Sequence, residues 1–330
     1  MKFNLLFNLV LSLTAFVESF SPSFHQPLYP SNFPSPFDSM AVFGDSFSDV
    51  GNVYIKSNGT QPGIWSFGGR YCDGRVWEEY ILQFFNLPKL LPSLEGGLNY
   101  AYGGATVNNA YINAFSTALH ANVPSISDQI TQYLQDESSI PTSRVHIIYA
   151  GYNDYWWYVN RNYTTSDGQD FNLTNVYTNT AGEVVDQVQR LYKQGARLFL
   201  VGNVPNMTSW AEAALQTKEV LDSYKVLVDG HNSVLLCLLS EFEKTNQDAT
   251  LYYFDAFNSF DCLNEHRDFF GIENINDACH ATESDNCDDI FGYKFWDYYH
   301  PTTHAHQIAS MFALRSIYSK VILKTQIKSN

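Results

Sequence analysis

A serine near the beginning of this 330-residue chain and an Asp/His pair near its end are the side chains most capable of chemistry. Ser46 lies in Gly44-Asp45-Ser46-Phe47, directly after the apolar run Met40-Ala41-Val42-Phe43. Asp297 and His300 stand together just ahead of a predicted helix. A hydroxyl nucleophile, an imidazole base and a carboxylate that orients the imidazole are what acyl transfer through a covalent intermediate needs. Pro301 favours an extended residue before it and can open a helix at Thr302, so Asp297 can fold beneath the ring and accept its N–H. Plainer uses remain open. Asp45, Ser46, Ser48 and Asp49 could make turn bonds and a helix cap. His304 is one helical turn from His300, a spacing a metal could use, although His304 and His306 read better as a surface or supporting pair. Position 48 is Ser, so the Gly-x-Ser-x-Gly elbow is absent.

Acyl transfer also needs donors for the developing oxyanion. Gly103-Gly104 offers an unencumbered backbone N–H, and Asn153 in Gly151-Tyr152-Asn153-Asp154 a neutral amide. A tight turn and an Asx turn are the competing readings.

These residues depend on a scaffold that the pattern of the chain suggests. Short apolar runs at 40–43, 144–150, 197–201 and 250–254 read as strands. Residues 75–85, 126–134, 176–194, 211–243 and 302–321 carry helical periodicity. Strands that are apolar on both faces and alternate with helices imply a largely parallel sheet covered on both sides. Ser46 and Asn153 each follow such a strand, where open α/β sheets bind ligands. Tyr152, Tyr155, Trp156, Trp157 and Tyr158 crowd an expected loop; their rings suit a sugar face or a lipid chain. Residues 260–289 form an acidic, Asn/Cys-rich insertion that could rim the site.

Residues 1–19, a short basic start followed by an apolar stretch and small residues, read as a signal peptide. The stretch falls short of the roughly 20 residues a membrane span needs. Residues 20–38 read as an irregular lead-in and 39–325 as one domain. Asn58, Asn162, Asn172 and Asn206 sit in Asn-x-Thr triplets and are candidate glycosylation sites, consistent with export. Of the five cysteines, Cys279 and Cys287 could close the acidic loop, and Cys237 is the expected buried free thiol. No Cys/His spacing suggests zinc. The net charge of -15 disfavours nucleic acid and anionic membranes.

Together these blocks resemble the SGNH, or GDSL-type, hydrolase superfamily. Residues 43–52 resemble its first block, although Phe47 stands where the family name has Leu, a departure expected to be remote from the chemistry. Residues 99–106 resemble the second, 151–154 the third and 297–302 the last. The resemblance implies a single three-layer α/β/α sandwich, flavodoxin-like, with Ser46, Asp297 and His300 as triad. It also implies an oxyanion hole from the Ser46 and Gly104 N–H groups and Asn153, and no metal or organic cofactor. Residues 67–77 resemble a segment of larger extracellular members, where Arg75 would serve the fold or the substrate. Tyr152, Asp154, Trp156 and Trp157 are candidate substrate contacts. The expected function is a secreted serine esterase acting on a small-molecule or oligosaccharide ester, with a carbohydrate O-acetylesterase first. A GDSL lipase, phospholipase or lysophospholipase is the alternative, and a non-catalytic secreted binding protein the remote one.

Overall fold

The computed structural model describes residues 34–63, 65–107, 123–160, 172–281 and 287–328. The expected signal segment, the lead-in before residue 34 and the Asn162 triplet lie outside the described residues. The chain runs from β1 (Ser39–Gly44) through α1 (Asn52–Lys56), α2 (Trp77–Phe84) and α3 (Ile126–Asp136). Next come β2 (Arg144–Tyr149), α4 (Tyr152–Asn160), α5 (Leu173–Lys193) and β3 (Leu198–Gly202). After these follow α6 (Lys218–Thr245), β4 (Thr250–Phe254), α7 (Ala256–Glu265) and α8 (Arg267–Phe270). β5 (Asn274–Ala278), β6 (Tyr293–Phe295) and α9 (Thr303–Lys328) come last.

The first four strands form one parallel sheet in the order β1-β2-β3-β4. Residues 98–102 add an irregular edge on the other side of β1. There the Val42 N–H donates to Leu98 O at 2.9 Å and the Tyr100 N–H to Val42 O at 2.8 Å. The chain therefore passes to one side of β1 and then crosses to the other, which makes the carboxyl end of β1 a switch point where a crevice opens. Ser46 follows it immediately.

Strand side chains alternate between two cores. Met40 and Val42 face one with α2, α9 and the first half of α6; Ala41 and Phe43 face the other with α3, α5 and the second half of α6. Burial on both sides is why these strands are apolar throughout, and the architecture is the expected three-layer α/β/α arrangement. On α3, Ile126, Ile130 and Tyr133 recur at helical spacing and are fully buried. Burying each such side chain stabilises by about 1.5–3 kcal/mol. Ser125 caps that helix, accepting from the Asp128 N–H at 3.2 Å while Asp128 accepts from the Ser125 N–H.

Several expectations change. The aromatic run after β2 is α4, not a loop, because Tyr152, Tyr155 and Trp157 are buried by tertiary packing that outweighs a weak helix propensity. α6 starts at Lys218 rather than near 211, since the Thr217 side chain caps it and 3-10 turns occupy Met207–Ser209 and Ala211–Leu215. Cys237 is exposed: Leu235 and Leu239 of its apolar run are buried in the core with Val234 packed beside them, and the 3.6-residue period turns Cys237 outward. The fully buried free thiol is Cys72. Cys279 and Cys287 are disulfide-bonded, as the loop suggested. The insertion is largely ordered into α7, α8 and β5, which pairs with β6, and Leu263 and Ile272 pack on Ala305 and Ile308 of α9. Among the described residues, no helix is long and apolar enough to cross a membrane.

Candidate active site

Gly44 ends β1 where a side chain would not fit: a Cβ there would lie 2.9 Å from Tyr149 O. Gln129 of α3 clamps its backbone from both sides, accepting from the Gly44 N–H at 3.0 Å and donating to Gly44 O at 2.9 Å. Asp45 then organises the turn. Its carboxylate accepts from the Phe47 N–H, and its carbonyl accepts from the Ser48 and Asp49 N–H groups. Ser46, at the crest of this turn, is 5% exposed, enough for Oγ to meet a small ligand.

Asp49 joins this turn to the second segment. Its carboxylate accepts from the N–H groups of Gly51, Asn52, Val53 and Gly103, the last at 2.9 Å. The Gly103 N–H is therefore spent, and Gly104, at φ 80°, is the glycine that lines the cavity beside Ser46. Gly103 has a packing role, because a Cβ there would lie 2.1 Å from the Tyr71 ring. That ring in turn lies against His300, with centroids 5.0 Å apart. The Asn52 amide donates to the carbonyls of Asn99 and Ala101, and the Asn99 amide donates to Ser48 O, completing the stitching.

Asn153 is the second residue of α4. Its amide donates one N–H to Ala105 O at 3.0 Å, which holds the group while leaving the other N–H for the cavity it lines. At the far end of the chain, Asp297 Oδ1 accepts from the backbone N–H groups of Tyr299 and His300, both at 2.8 Å. His300 Nδ1 lies 2.7 Å from Asp297 Oδ2. A carboxylate can only accept, so Nδ1 carries the proton and Nε2 is left as the basic nitrogen.

Ser46, Gly104, Asn153 and His300 line one cavity of about 300 Å³. Tyr71, Tyr152, Trp156, Trp157, Trp210 and Tyr299 supply its remaining walls. Trp156 and Trp157, on α4 rather than a loop, thus line the cavity. Asp154 turns elsewhere and accepts from the Val107 N–H at 3.1 Å, tying α4 to the second segment. Arg75 bonds to Gln83 and is not among the lining residues. His304 and His306 are buried, not superficial: the His304 Nδ1–H donates to Phe291 O at 2.8 Å, and its ring stacks on that of Phe291. His306 lies edge-on to Phe47. Phe47 itself is not remote from the chemistry, since its ring packs between Tyr152, Trp210, His300 and His306. Tyr71, Trp210 and Tyr299 were missed; Tyr71 and Tyr299 lie inside recognisable blocks, whereas no local signal marks Trp210. Of the glycosylation candidates, Asn58 and Asn172 are exposed, and the Asn206 amide nitrogen donates to Asp261.

Three carboxyls on or against the Ser46 turn, those of Asp45, Asp49 and Glu78, are buried, and that of Asp154 on α4 is half-buried. Burial pushes Asp45 up to about 8, Asp154 to about 7 and Asp49 to about 6, and raises Glu78 well above the carboxylate range. Each binds its proton more tightly folded than unfolded. Its stabilising contribution is complete below about pH 4 and is lost as the pH rises through the folded value. Burial pulls His231 and His306 down to about 3 and His146 to about 4, so these cost stability as the pH falls below about 6.5. Lys294, pulled down to about 7 by burial, gains stability as the pH rises above that value, but it is one group against Asp45, Asp154 and Glu78. Thermal melts should therefore show the midpoint falling as the pH rises from about 6.5, the ordinary histidine midpoint, to about 8, where Asp45 titrates. A midpoint that climbs across that window would contradict the raised values of Asp45 and Asp154.

A family model described as GDSL-like Lipase/Acylhydrolase matches residues 40–312. The chain is 25% identical over 296 residues to the thermolabile hemolysin of Vibrio parahaemolyticus, covering 84% of this chain and 63% of that protein. It is 27% identical over 315 residues to GDSL esterase/lipase 5 of Arabidopsis thaliana, covering 81% of this chain and 80% of the relative. Among solved structures, a gut microbial diltiazem-metabolizing enzyme aligns with a TM-score of 0.42 at 12% identity, over 87% of this chain and 48% of that one.

Proposed function

Because this chain belongs to the GDSL-like lipase/acylhydrolase family, we propose that it is a secreted serine esterase that removes short acyl groups, acetyl foremost, from sugars derived from plant polysaccharides. The observation that carries the chemistry is the convergence of Ser46, His300, Gly104 and Asn153 on one cavity, with Asp297 bonded to the far nitrogen of the imidazole. His300 Nε2 takes the Ser46 proton as Oγ attacks the ester carbonyl carbon. The carbonyl oxygen gains the electron pair and is met by the N–H groups of Ser46, Gly104 and Asn153. The tetrahedral intermediate collapses, the alkoxy oxygen leaves with the proton from His300, and the acyl group remains on Ser46. Water then repeats the attack with His300 as base, and the acid departs. Asp297 stabilises the imidazolium in both halves without itself taking the proton.

Two features bear on the substrate. A cavity of about 300 Å³ is at the small end of ligand sites, which favours a short acyl group. Trp156 and Trp157 offer flat faces on which a sugar ring can stack. A lipase or phospholipase is the second reading, favoured by walls that are aromatic throughout with His300 as the sole ionisable group besides phenols. Rates on acetyl, butyryl and longer-chain aryl esters, measured beside acetylated xylo-oligosaccharides, separate the two. The expected result is a kcat/KM that falls by at least about tenfold from acetyl to octanoyl, one added methylene too many being worth about that factor. A rise with chain length would defeat the acetylesterase assignment while leaving the serine mechanism in place.

A further inference from the structure

The Ser46 hydroxyl has a neighbour that the triad does not explain. Tyr152 Oη lies 3.2 Å from Ser46 Oγ, and the same phenol donates to Asp45 Oδ1. We infer that Tyr152 is a further catalytic residue of this esterase, its hydroxyl anchored on Asp45 and holding the Ser46 hydroxyl at the cavity wall until attack begins. The inference rests on the serine mechanism proposed above.

Tyr152 is built to be immobile. It is the first residue of α4, directly after Gly151, whose φ of 126° an L side chain would rarely adopt. Its ring is held edge-on by Phe47 at 4.8 Å and by Trp210 at 5.3 Å, and it is 3% exposed. A side chain so caged loses little further freedom when it forms a hydrogen bond, so the contact costs little entropy. Asp45 is equally fixed. One oxygen serves the Phe47 N–H and Tyr152, and the other is buried without a hydrogen-bond partner among the described residues. Asp45 and Ser46 are adjacent in sequence, so Tyr152 closes a small ring across the nucleophile turn from the neighbouring strand's end.

The proton arrangement limits what Tyr152 can do. Burial, and then the nearby Asp45 carboxyl, hold the phenol well above its usual range, so it keeps its proton and cannot serve as the base. With that proton donated to Asp45, its oxygen accepts from the Ser46 hydroxyl. The Ser46 hydroxyl is thus parked in one rotamer, and the contact with Tyr152 is released when its proton turns to His300 Nε2. Tyr152 neither gains nor loses a proton in the cycle; it restricts where the reacting oxygen sits, which is a rate effect.

The test compares wild type, Tyr152→Phe, Asp45→Asn and the double variant. Two rates are measured: turnover of 4-nitrophenyl acetate, and phosphorylation of Ser46 by a dialkyl 4-nitrophenyl phosphate with release of 4-nitrophenolate. Both are normalised to the fraction of sites that the phosphate titrates at completion, so misfolded protein is not counted. Tyr152→Phe should lower kcat and the phosphorylation rate about tenfold while KM stays within about threefold, the loss of the group that fixes where the reacting oxygen starts. Asp45→Asn should add less than about twofold once the phenol is gone, because it acts through that phenol. Rates within about twofold of wild type for Tyr152→Phe, or a full Asp45→Asn effect in its presence, would overturn the inference. A Ser46→Ala variant that still hydrolyses the ester would instead overturn the serine mechanism, so the two failures are distinguishable.

Discussion

Ser46→Ala is expected to lower kcat for a simple aryl ester by at least about 10³-fold while leaving the thermal midpoint nearly unchanged, the behaviour of a lost nucleophile. The stability side follows from the surroundings: Oγ makes one long contact, to Tyr152, at a cavity wall, so its removal leaves no buried group stranded. The kinetic side follows from the mechanism, since Ser46 carries the one aliphatic hydroxyl among the described residues that line the cavity. His300→Ala should cost a comparable factor, and the double variant should be no worse than either single one. That saturation is the discriminating result, because residues acting as one unit are grossly non-additive, whereas independent contributors multiply. Asp297→Asn should cost less than either alanine variant but still slow turnover severely: an amide can present an N–H toward Nδ1 and select the wrong tautomer. Turnover by Ser46→Ala above about a tenth of wild type would remove the basis of the proposal.

Much of this site could be read in the chain because its parts are local. Ser46 and Asn153 follow apolar runs that became β1 and β2, and Asp297 bonds His300 within a single turn. Strand positions were legible for a physical reason: burial on both faces leaves short uninterrupted apolar stretches between polar helices. The helix periods of α3 and α5 were visible for the same reason, one face each being buried.

What the chain concealed is long-range. Asp49 reads as an ordinary turn residue, yet its carboxylate gathers N–H groups from both sides of the cleft, including Gly103. Gln129 looks like an exposed helix residue and is instead buried against Gly44. Trp210 lies far from every block and reaches the cavity only because 3-10 turns after β3 fold back over it. Cys237 illustrates the converse. Its neighbours are apolar, but the register of α6 turns it outward, and register is set by packing across the whole domain.

The largest expected loss of stability comes from another residue of this concealed kind. Arg70 and Glu79 form a two-pronged pair, Nε to Oε2 at 2.6 Å and Nη2 to Oε1 at 2.7 Å, with side chains 7% and 8% exposed. Arg70 also donates to Gly68 O, and Glu79 accepts from the Val76 N–H at the start of α2. The pair therefore pins the loop that carries Tyr71 to the helix beneath it. Arg70→Met is expected to destabilise by about 3–5 kcal/mol, because it leaves a buried carboxylate without its partner. At about 2–4 °C per kcal/mol for a domain approaching this size, the midpoint should drop by roughly 10 °C. Arg70→Met/Glu79→Leu should recover most of that loss, since removing both charges also removes the cost of burying them. The exposed Lys218–Asp222 pair is the control: screened by solvent, it should move the midpoint hardly at all when broken. Activity supplies a second reading, because the Tyr71 ring lies against His300. If the double variant regains its stability but not its turnover, the pair positions the catalytic base through Tyr71 as well as holding the fold; if both return together, its role ends with stability.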